Sequence, residues 1–298
     1  MRSRRLIALL ASLLVPAICA APAAAAPTIG VADQAARIFD DPLFTALDTR
    51  ITRVIVSYDA IRKGGPELEN LDVYIPAALA AGVDPLVAFN APRGHKFGRT
   101  SDLPSVKRYT SAIKAFRKRF PRVKTYSAWN EINHYSQPTF RNPTRAAQFT
   151  NALAKACRGC RIVAADLLDQ AGASRYLARF KRALKVKAKI WGLHNYSDTN
   201  RSRSKGTKEF LRATRRGEVW LTETGGVVKF GKSFPYSPSR AARSTRYAFK
   251  LARSNRRIKR LYLYNFYGVE RSARFDAGLI GPDGRPRAAY QVVKDALD

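Results

Sequence analysis

From Thr28 onward the chain alternates between short β-branched or apolar runs and longer amphipathic ones, and no other feature constrains its fold as tightly. The short runs read as strands: Thr28–Ala32, Ile51–Ser57, Pro85–Phe89, Val123–Trp129, Ile162–Ala165, Lys189–His194, Glu218–Thr222 and Arg260–Asn265. The longer runs read as helices: Pro42–Thr49, Leu68–Ala81, Pro104–Phe120, Pro143–Cys157, Ala171–Leu184, Lys205–Arg216, Pro238–Ser254 and Pro286–Leu297. Proline at the first helical position after a capping residue, as in Asn142-Pro143 and Ser237-Pro238, marks where helices begin. Eight strands alternating with eight helices predict a single α/β domain, a (β/α)8 barrel over residues 27–298. A doubly wound sheet would announce itself by a glycine-rich turn after the first strand, and none follows Thr28–Ala32. Gly64-Gly65 lacks the remaining glycines and the lysine of a phosphate loop, and there is no Gly-x-Ser-x-Gly elbow.

The segment before the first strand has a different character. Arg2, Arg4 and Arg5 precede the apolar stretch Leu6 to Val15, and a small-residue tract, Ala20 to Ala26, offers A-x-A-like cleavage points. Residues 1–26 therefore read as a secretory signal peptide, too short in its apolar part for a comfortable membrane span. Cleavage would leave two cysteines, Cys157 and Cys160, in a Cys-x-x-Cys. That pattern suits a redox pair, half a zinc site or a small disulfide. An exported chain with no second cysteine pair favours the disulfide. His95, His134 and His194 show no metal-like spacing, so neither a metal nor any other cofactor is expected.

Two glutamates carry the chemistry. Trp129-Asn130-Glu131 closes the fourth strand and Thr222-Glu223-Thr224-Gly225 closes the seventh. An ionised carboxylate at the end of an apolar strand is costly unless paired or used. Barrel enzymes place their reacting groups at the carboxyl ends of strands. The two motifs together resemble clan A of the glycoside hydrolases, the cellulase and β-xylosidase-like barrels. The resemblance spans roughly Thr28 to Asp298 and includes His194-Asn195-Tyr196 after strand six. It ends in a run from Gly278 to Tyr290 that looks like the hairpin and last helix after strand eight.

The resemblance implies a secreted retaining glycoside hydrolase that cleaves β-glycosidic bonds of a poly- or oligosaccharide. Glu131 would be the general acid and then base, and Glu223 the nucleophile. Asn130 would hydrogen-bond the sugar 2-hydroxyl, Tyr196 would reach and orient Glu223, and His194 would line the cleft. Many such enzymes set a tryptophan beneath the sugar at the end of strand eight. This chain has Tyr262 to Tyr267 there, so Tyr264 or Phe266 would stack in its place. Arg53 lies early in strand two, not at its end, where some relatives carry an arginine. Asn90, after strand three, either touches substrate or stabilises a turn. Asp166 and Asp169 read as loop carboxylates after strand five, Asp33 is open, and Trp129 reads as core or a wall beneath the cleft.

The formal charge is +32, of which +29 remains without the three leader arginines. Basic residues crowd the helix-to-strand junctions: Arg119 and Arg122, Arg158 and Arg161, Lys185 to Lys189, Arg212 to Arg216, Arg256 to Arg260. Cations at helix carboxyl ends complement the backbone dipole. In a barrel those junctions all lie opposite the active site, which predicts a basic underside able to hold an anionic cell-wall polymer. The expected partner is thus a carbohydrate substrate, acted on by a monomer with no nucleic-acid role: no nucleic-acid fold motif appears, and aromatics are not interleaved with the basic runs. The competing reading keeps the barrel without turnover, as a weak or inactive protein that binds carbohydrate or anionic polymer.

Overall fold

The computed structural model describes residues 26–298, so the predicted leader lies outside the described residues except for Ala26. Eight parallel strands form one sheet: β1 (Thr28–Ala32), β2 (Ile51–Ser57), β3 (Asp84–Asn90), β4 (Thr125–Ser127), β5 (Arg161–Leu168), β6 (Ile190–His194), β7 (Glu218–Thr224) and β8 (Ile258–Tyr264). They pair in the order β1-β8-β7-β6-β5-β4-β3-β2. Backbone ladders bond every neighbouring pair except β1 and β2. That seam is held by threonine: Thr49 donates its hydroxyl to Ile29 O at 2.8 Å and Thr52 to Val31 O at 2.7 Å. Helices fill the connections, so this is the (β/α)8 barrel that the alternation predicts.

The helices form for reasons visible in the chain. In Val106–Arg119, Tyr109, Ile113 and Phe116 fall on one face at helical spacing and are buried, while six lysines and arginines lie on the remaining faces. Ser105 caps its start by accepting from Arg108 N, and Arg117, Lys118 and Arg119 sit in its last turn, where the helix dipole favours cations. Burying each of those three large side chains contributes roughly 1.5–3 kcal/mol. Pro143 and Pro238 do open helices, each after a side chain that caps the third residue on.

Boundaries shift where packing overrides local preference. The helix expected from Pro104 starts at Val106 because Ser105 takes the cap, and the last helix starts at Ala288, since Pro286 bridges to Ile280 beforehand. Strand β4 is shorter than expected, and β5 runs three residues past Ala165. A short helix, Tyr196–Asn200, follows β6 directly. Cys157, capping the carboxyl end of Pro143–Ala156, is disulfide-bonded to Cys160 in the turn that leads into β5.

Candidate active site

The inside of the barrel is built in layers by the two-residue period of its strands. At the amino end Ile51, Leu86, Val163, Ile190, Trp220 and Tyr262 form a separate apolar plug. Moving two residues along β2, from Ile51 to Arg53, keeps the side chain on the inner face, and Arg53 is fully buried above the plug. Asp166 on β5 and His194 at the end of β6 are equally buried beside it. Gly192 makes room: a Cβ there would lie 2.4 Å from Asp166 Oδ1 and 2.7 Å from Val163 Cγ1.

These three groups form a charged hub. Arg53 donates to Glu223 Oε2 at 2.8 Å, to Asn130 Oδ1 at 2.7 Å and to Asp166 Oδ2 at 3.3 Å. Asp166 also accepts from Ser127 Oγ at 3.0 Å and from Thr222 Oγ1, and its Oδ1 lies 3.2 Å from His194 Nε2. His194 Nδ1 lies 3.2 Å from Glu131 Oε1 and 3.5 Å from Glu223 Oε2. One imidazole edge therefore faces both glutamates, and those two oxygens are no more than about 6.7 Å apart, the two contacts laid end to end.

The electrostatics follow from the packing. Burial opposes the His194 charge, but Asp166 and Glu223 outweigh it, together with the hydrogen bonds that His194 donates to Asp166 and Glu131, and its pKa is pushed up to about 10. His194 is thus an imidazolium at neutral pH, donating from both ring nitrogens. Burial would raise the Asp166 carboxyl; the charge of His194, followed by Arg53 and the Thr222 hydroxyl, holds it below its ordinary range instead. Glu131 is likewise raised by burial but lowered overall by its hydrogen bond to His194 and by the charges of His194, His134 and Arg53. Two cations and three carboxylates thus share this site.

The two glutamates differ in setting. Glu223, at the carboxyl end of β7, is buried, clamped between Arg53 and Tyr196, whose hydroxyl donates to Oε1 at 3.1 Å. Burial and then the Glu223 charge raise the Tyr196 phenol far above its ordinary value, so it stays a donor. Glu131 keeps about a fifth of its side chain open and is the more accessible acid. Its backbone has φ +43°, the left-handed region, which costs a non-glycine residue about 1 kcal/mol or more. Flanking hydrogen bonds hold it there: Asn130 N to Phe89 O at 2.6 Å and Ile132 N to Asp166 O at 3.0 Å.

The remaining candidates separate cleanly. Asn130 is buried, its amide oxygen taken by Arg53, which leaves its amide nitrogen as the donor. Asn90 sits half-buried at the carboxyl end of β3 with Oδ1 unpartnered. Tyr264 is half-buried at the end of β8, and its phenol is raised by burial first and then by Glu223. Phe266 does not share that position: it is fully buried, edge-on to Phe44 and Tyr267, so its expected contact with a sugar is corrected to a core role. Asp166 is an interior residue rather than a rim carboxylate, because β5 continues through it after a register shift. Asp33 accepts from the backbone of Gln34, Ala35 and Tyr267 and braces the loop after β8. Trp129 is buried against Tyr58 and Phe149, with its indole donating to Gln137. Arg53 is the residue that reading the sequence undervalued. Its signal was available, since an arginine two residues from Ile51 in a β-branched strand faces the same side as Ile51 and, if buried, must find partners.

No protein-family profile matches the chain, and a search of curated sequences finds no relative. Solved structures do match its fold. A GH5_18 protein from Streptomyces cattleya, solved with GlcNAc, is 17% identical with TM-score 0.63, covering 92% of this chain and 80% of its own. Xylanase 10B from Thermotoga maritima is 14% identical with TM-score 0.62, covering 90% and 94%. The exo-beta-1,4-mannosidase Op5Man5 from Opitutaceae bacterium strain TAV5 is 13% identical with TM-score 0.63, covering 91% of this chain and 59% of its own. In fold, then, this barrel is similar to these solved glycoside hydrolase, xylanase and mannosidase structures.

Proposed function

We propose that the protein is a retaining β-glycosidase with Glu223 as nucleophile and Glu131 as acid and base. The observation that carries this reading is the single imidazole edge of His194 within 3.2 Å of one glutamate and 3.5 Å of the other. Double displacement needs carboxyl groups about 5–5.5 Å apart, whereas a single displacement through water needs roughly 6.5–9.5 Å. The bound of about 6.7 Å between the facing oxygens favours the former.

The chemistry divides between the two settings. Arg53 and Tyr196 hold both oxygens of Glu223, which keeps the nucleophile aimed while its hydration is replaced by fixed donors. Attack on the anomeric carbon forms a glycosyl ester and neutralises Glu223. The leaving oxygen takes its proton from Glu131, which, a carboxylate at rest, first receives it from His194 Nδ1 beside it. In the second half Glu131, again a carboxylate, removes a proton from water and passes it back to His194, while the water oxygen attacks the anomeric carbon and releases the Glu223 carboxylate. Asn130, with its oxygen fixed by Arg53, presents its amide donor to the sugar. A 2-deoxy-2-fluoro glycoside with an activated leaving group tests the assignment. Mass spectrometry is expected to find the adduct on Glu223 and none in Glu223→Gln. Labelling elsewhere, or failure to label with gluco-, xylo- and manno-configured reagents, refutes it.

Export is supported by the leader-like sequence and by the Cys157–Cys160 disulfide, which suits an oxidising compartment. Association with an anionic wall polymer has a physical basis at the amino end of the barrel. A hollow of about 410 Å³ there is lined by Lys187, Lys189, Arg216, Arg256, Arg257 and Lys259, with Glu218 its one acid. Arg257 is committed to carbonyls of Leu211 and Gly217, whereas Lys187, Lys189, Arg216 and Arg256 are exposed. Binding to such polymers is expected to weaken steeply between low and physiological salt; salt-insensitive binding removes the idea.

A further inference from the structure

Two cavities adjoin between the loop after β2, the loop after β3 and the helix Val106–Arg119, one of about 460 Å³ and the other of about 610 Å³. They share Tyr58, Asp59, Ser105 and Arg108 and so form one depression. None of Glu131, Glu223, Asn130, His194 or Tyr196 lines it.

The smaller cavity holds two polar atoms that the fold leaves unpaired. The Asp59 side chain is 1% exposed, yet Oδ2 has only Arg62 at 3.4 Å, and Oδ1 has no partner among the described residues. The His95 side chain is 4% exposed; its Nδ1 lies 2.8 Å from Asp102 Oδ2, and its Nε2 has no partner among the described residues. An ionised carboxylate only accepts, so Nδ1 is the donor in that pair and Nε2 of the neutral ring is left an acceptor. Buried polar atoms are rarely left so, because each forfeits the hydrogen bonds it makes in water. Around these two acceptors the lining is cationic: Lys63, Arg93, Arg99 and Arg108 in the smaller cavity, Arg62, Lys107 and Arg108 in the larger. Arg93 is paired with Glu67 and Arg99 with Asp102, whereas Lys63, Lys107 and Arg108 are exposed and make no ion pair among the described residues. The larger cavity adds an apolar floor of Ile61, Ala112 and Ala115 beside the Tyr58 ring, which is fixed by stacking on Trp129 at 5.8 Å.

Each part narrows the ligand. A bare anion such as phosphate or sulfate suits the cations but offers nothing to Asp59, which repels it. A neutral sugar has hydroxyls for the two acceptors but leaves the cations unused. We propose that this depression is a binding site for an acidic polysaccharide and that it takes a uronic acid residue. The ring hydroxyls of the uronate donate to Asp59 Oδ1 and His95 Nε2, and its carboxylate lies against Arg108 and Lys63. The apolar C–H face of the next sugar covers Ile61 and Ala112. The basic hollow at the amino end of the barrel lacks this selectivity, since its one acid, Glu218, already accepts from the Trp220 indole at 2.9 Å. The site goes beyond the glycosidase reading and does not depend on it.

The test uses the full chain carrying Glu223→Gln, so that turnover does not obscure binding. It is titrated calorimetrically with the tetrasaccharides of galacturonate, glucuronate and mannuronate, with their carboxyl-reduced forms, and with polyphosphate. At least one uronate is expected to bind about ten-fold more tightly than its reduced form. In that background Arg108→Gln is expected to weaken the uronate about ten-fold, while Arg256→Gln, in the hollow at the amino end, leaves it unchanged. Asp59→Leu separates a hydroxyl-bearing anion from a bare one. Loss of both oxygens is expected to weaken the uronate about ten-fold and to leave polyphosphate bound no more weakly. Circular dichroism checks that the variants are folded; should Asp59→Leu not fold, Arg108→Gln at its exposed position decides alone. The inference is overturned if no uronate outdoes its reduced form, or if either folded variant binds it as its parent does. It is equally overturned if Arg256→Gln carries the loss, or if polyphosphate binds and the uronates do not. Labelling of Glu223 in the unsubstituted chain reads the chemistry separately, so failure of either reading leaves the other standing.

Discussion

Replacing Arg53 by methionine removes the one guanidinium that joins Glu223, Asn130 and Asp166, without greatly changing the volume of the chain inside the barrel. At an effective dielectric of about 20, a charge pair at the 2.8 Å of the Glu223 contact is worth about 6 kcal/mol before desolvation is subtracted. Removing one partner of a buried pair typically costs about 3–5 kcal/mol, because the other charge stays buried. Arg53 and Asp166 are both fully buried, so solvent does not soften that loss. Urea unfolding at pH 7 is expected to show a loss of about 3–5 kcal/mol, and thermal unfolding a fall of roughly 6–20 °C. The pH dependence identifies the cause. In the parent the Asp166 carboxyl is depressed, so its contribution is present above the unfolded value, about 3.9, and is lost as pH falls below it. Without Arg53 the Asp166 carboxyl is depressed less, so the variant has less to lose in that range. The gap between parent and variant must therefore narrow as pH falls below about 4. A loss under about 1 kcal/mol at pH 7, or a gap that stays constant below about pH 4, refutes the hub as described.

His194→Gln removes a charge whose folded pKa is raised to about 10, so its stabilising contribution is full below about 6.5 and lost as pH rises through 10. The alkaline fall in stability seen by circular dichroism in the parent is expected to flatten in this variant. Asp169, which caps the Tyr196–Asn200 turn through Ser197 N and Asp198 N, is raised by burial, and to a lesser extent by Asp198, to about 7. Its ionisation therefore opposes folding as pH rises from about 4 to 7. Asp169→Asn should remove that part of the slope in a melting series over the same range. Gly226→Ala would put a Cβ 1.8 Å from Ala241 O, backbone against backbone, and is expected to cost about 3 kcal/mol or more in urea unfolding.

The parts of this protein legible in its sequence are those set by local periodicity. Strand β1 and strand β2 have the bounds that their β-branched runs imply, and the Asn142-Pro143 and Ser237-Pro238 caps open helices where expected. The two glutamate motifs stood out because a carboxylate ending an apolar strand breaks a pattern that the rest of the strand keeps. Asp166 was misplaced because a register shift in β5 carries the strand three residues further, and a bulge leaves no mark in composition. Phe266 was misplaced for a related reason. The chain turns out of the barrel after Tyr264, so the two-residue period that would have put Phe266 over the sugar ends there.

Sequence alone therefore settled the eight barrel strands and the main helices between them, since each depends on side chains a few residues apart. It also marked the strand ends where chemistry would gather. The charged hub was decided only by tertiary structure. Arg53, Asp166 and His194 come from three separate strands, and Asn130 and the two glutamates from two others or the loops that follow them. Barrel closure alone brings their side chains to one level of the interior. There burial makes every pairing obligatory, so His194 takes its charge and Glu131 its ionisation from neighbours far away along the chain.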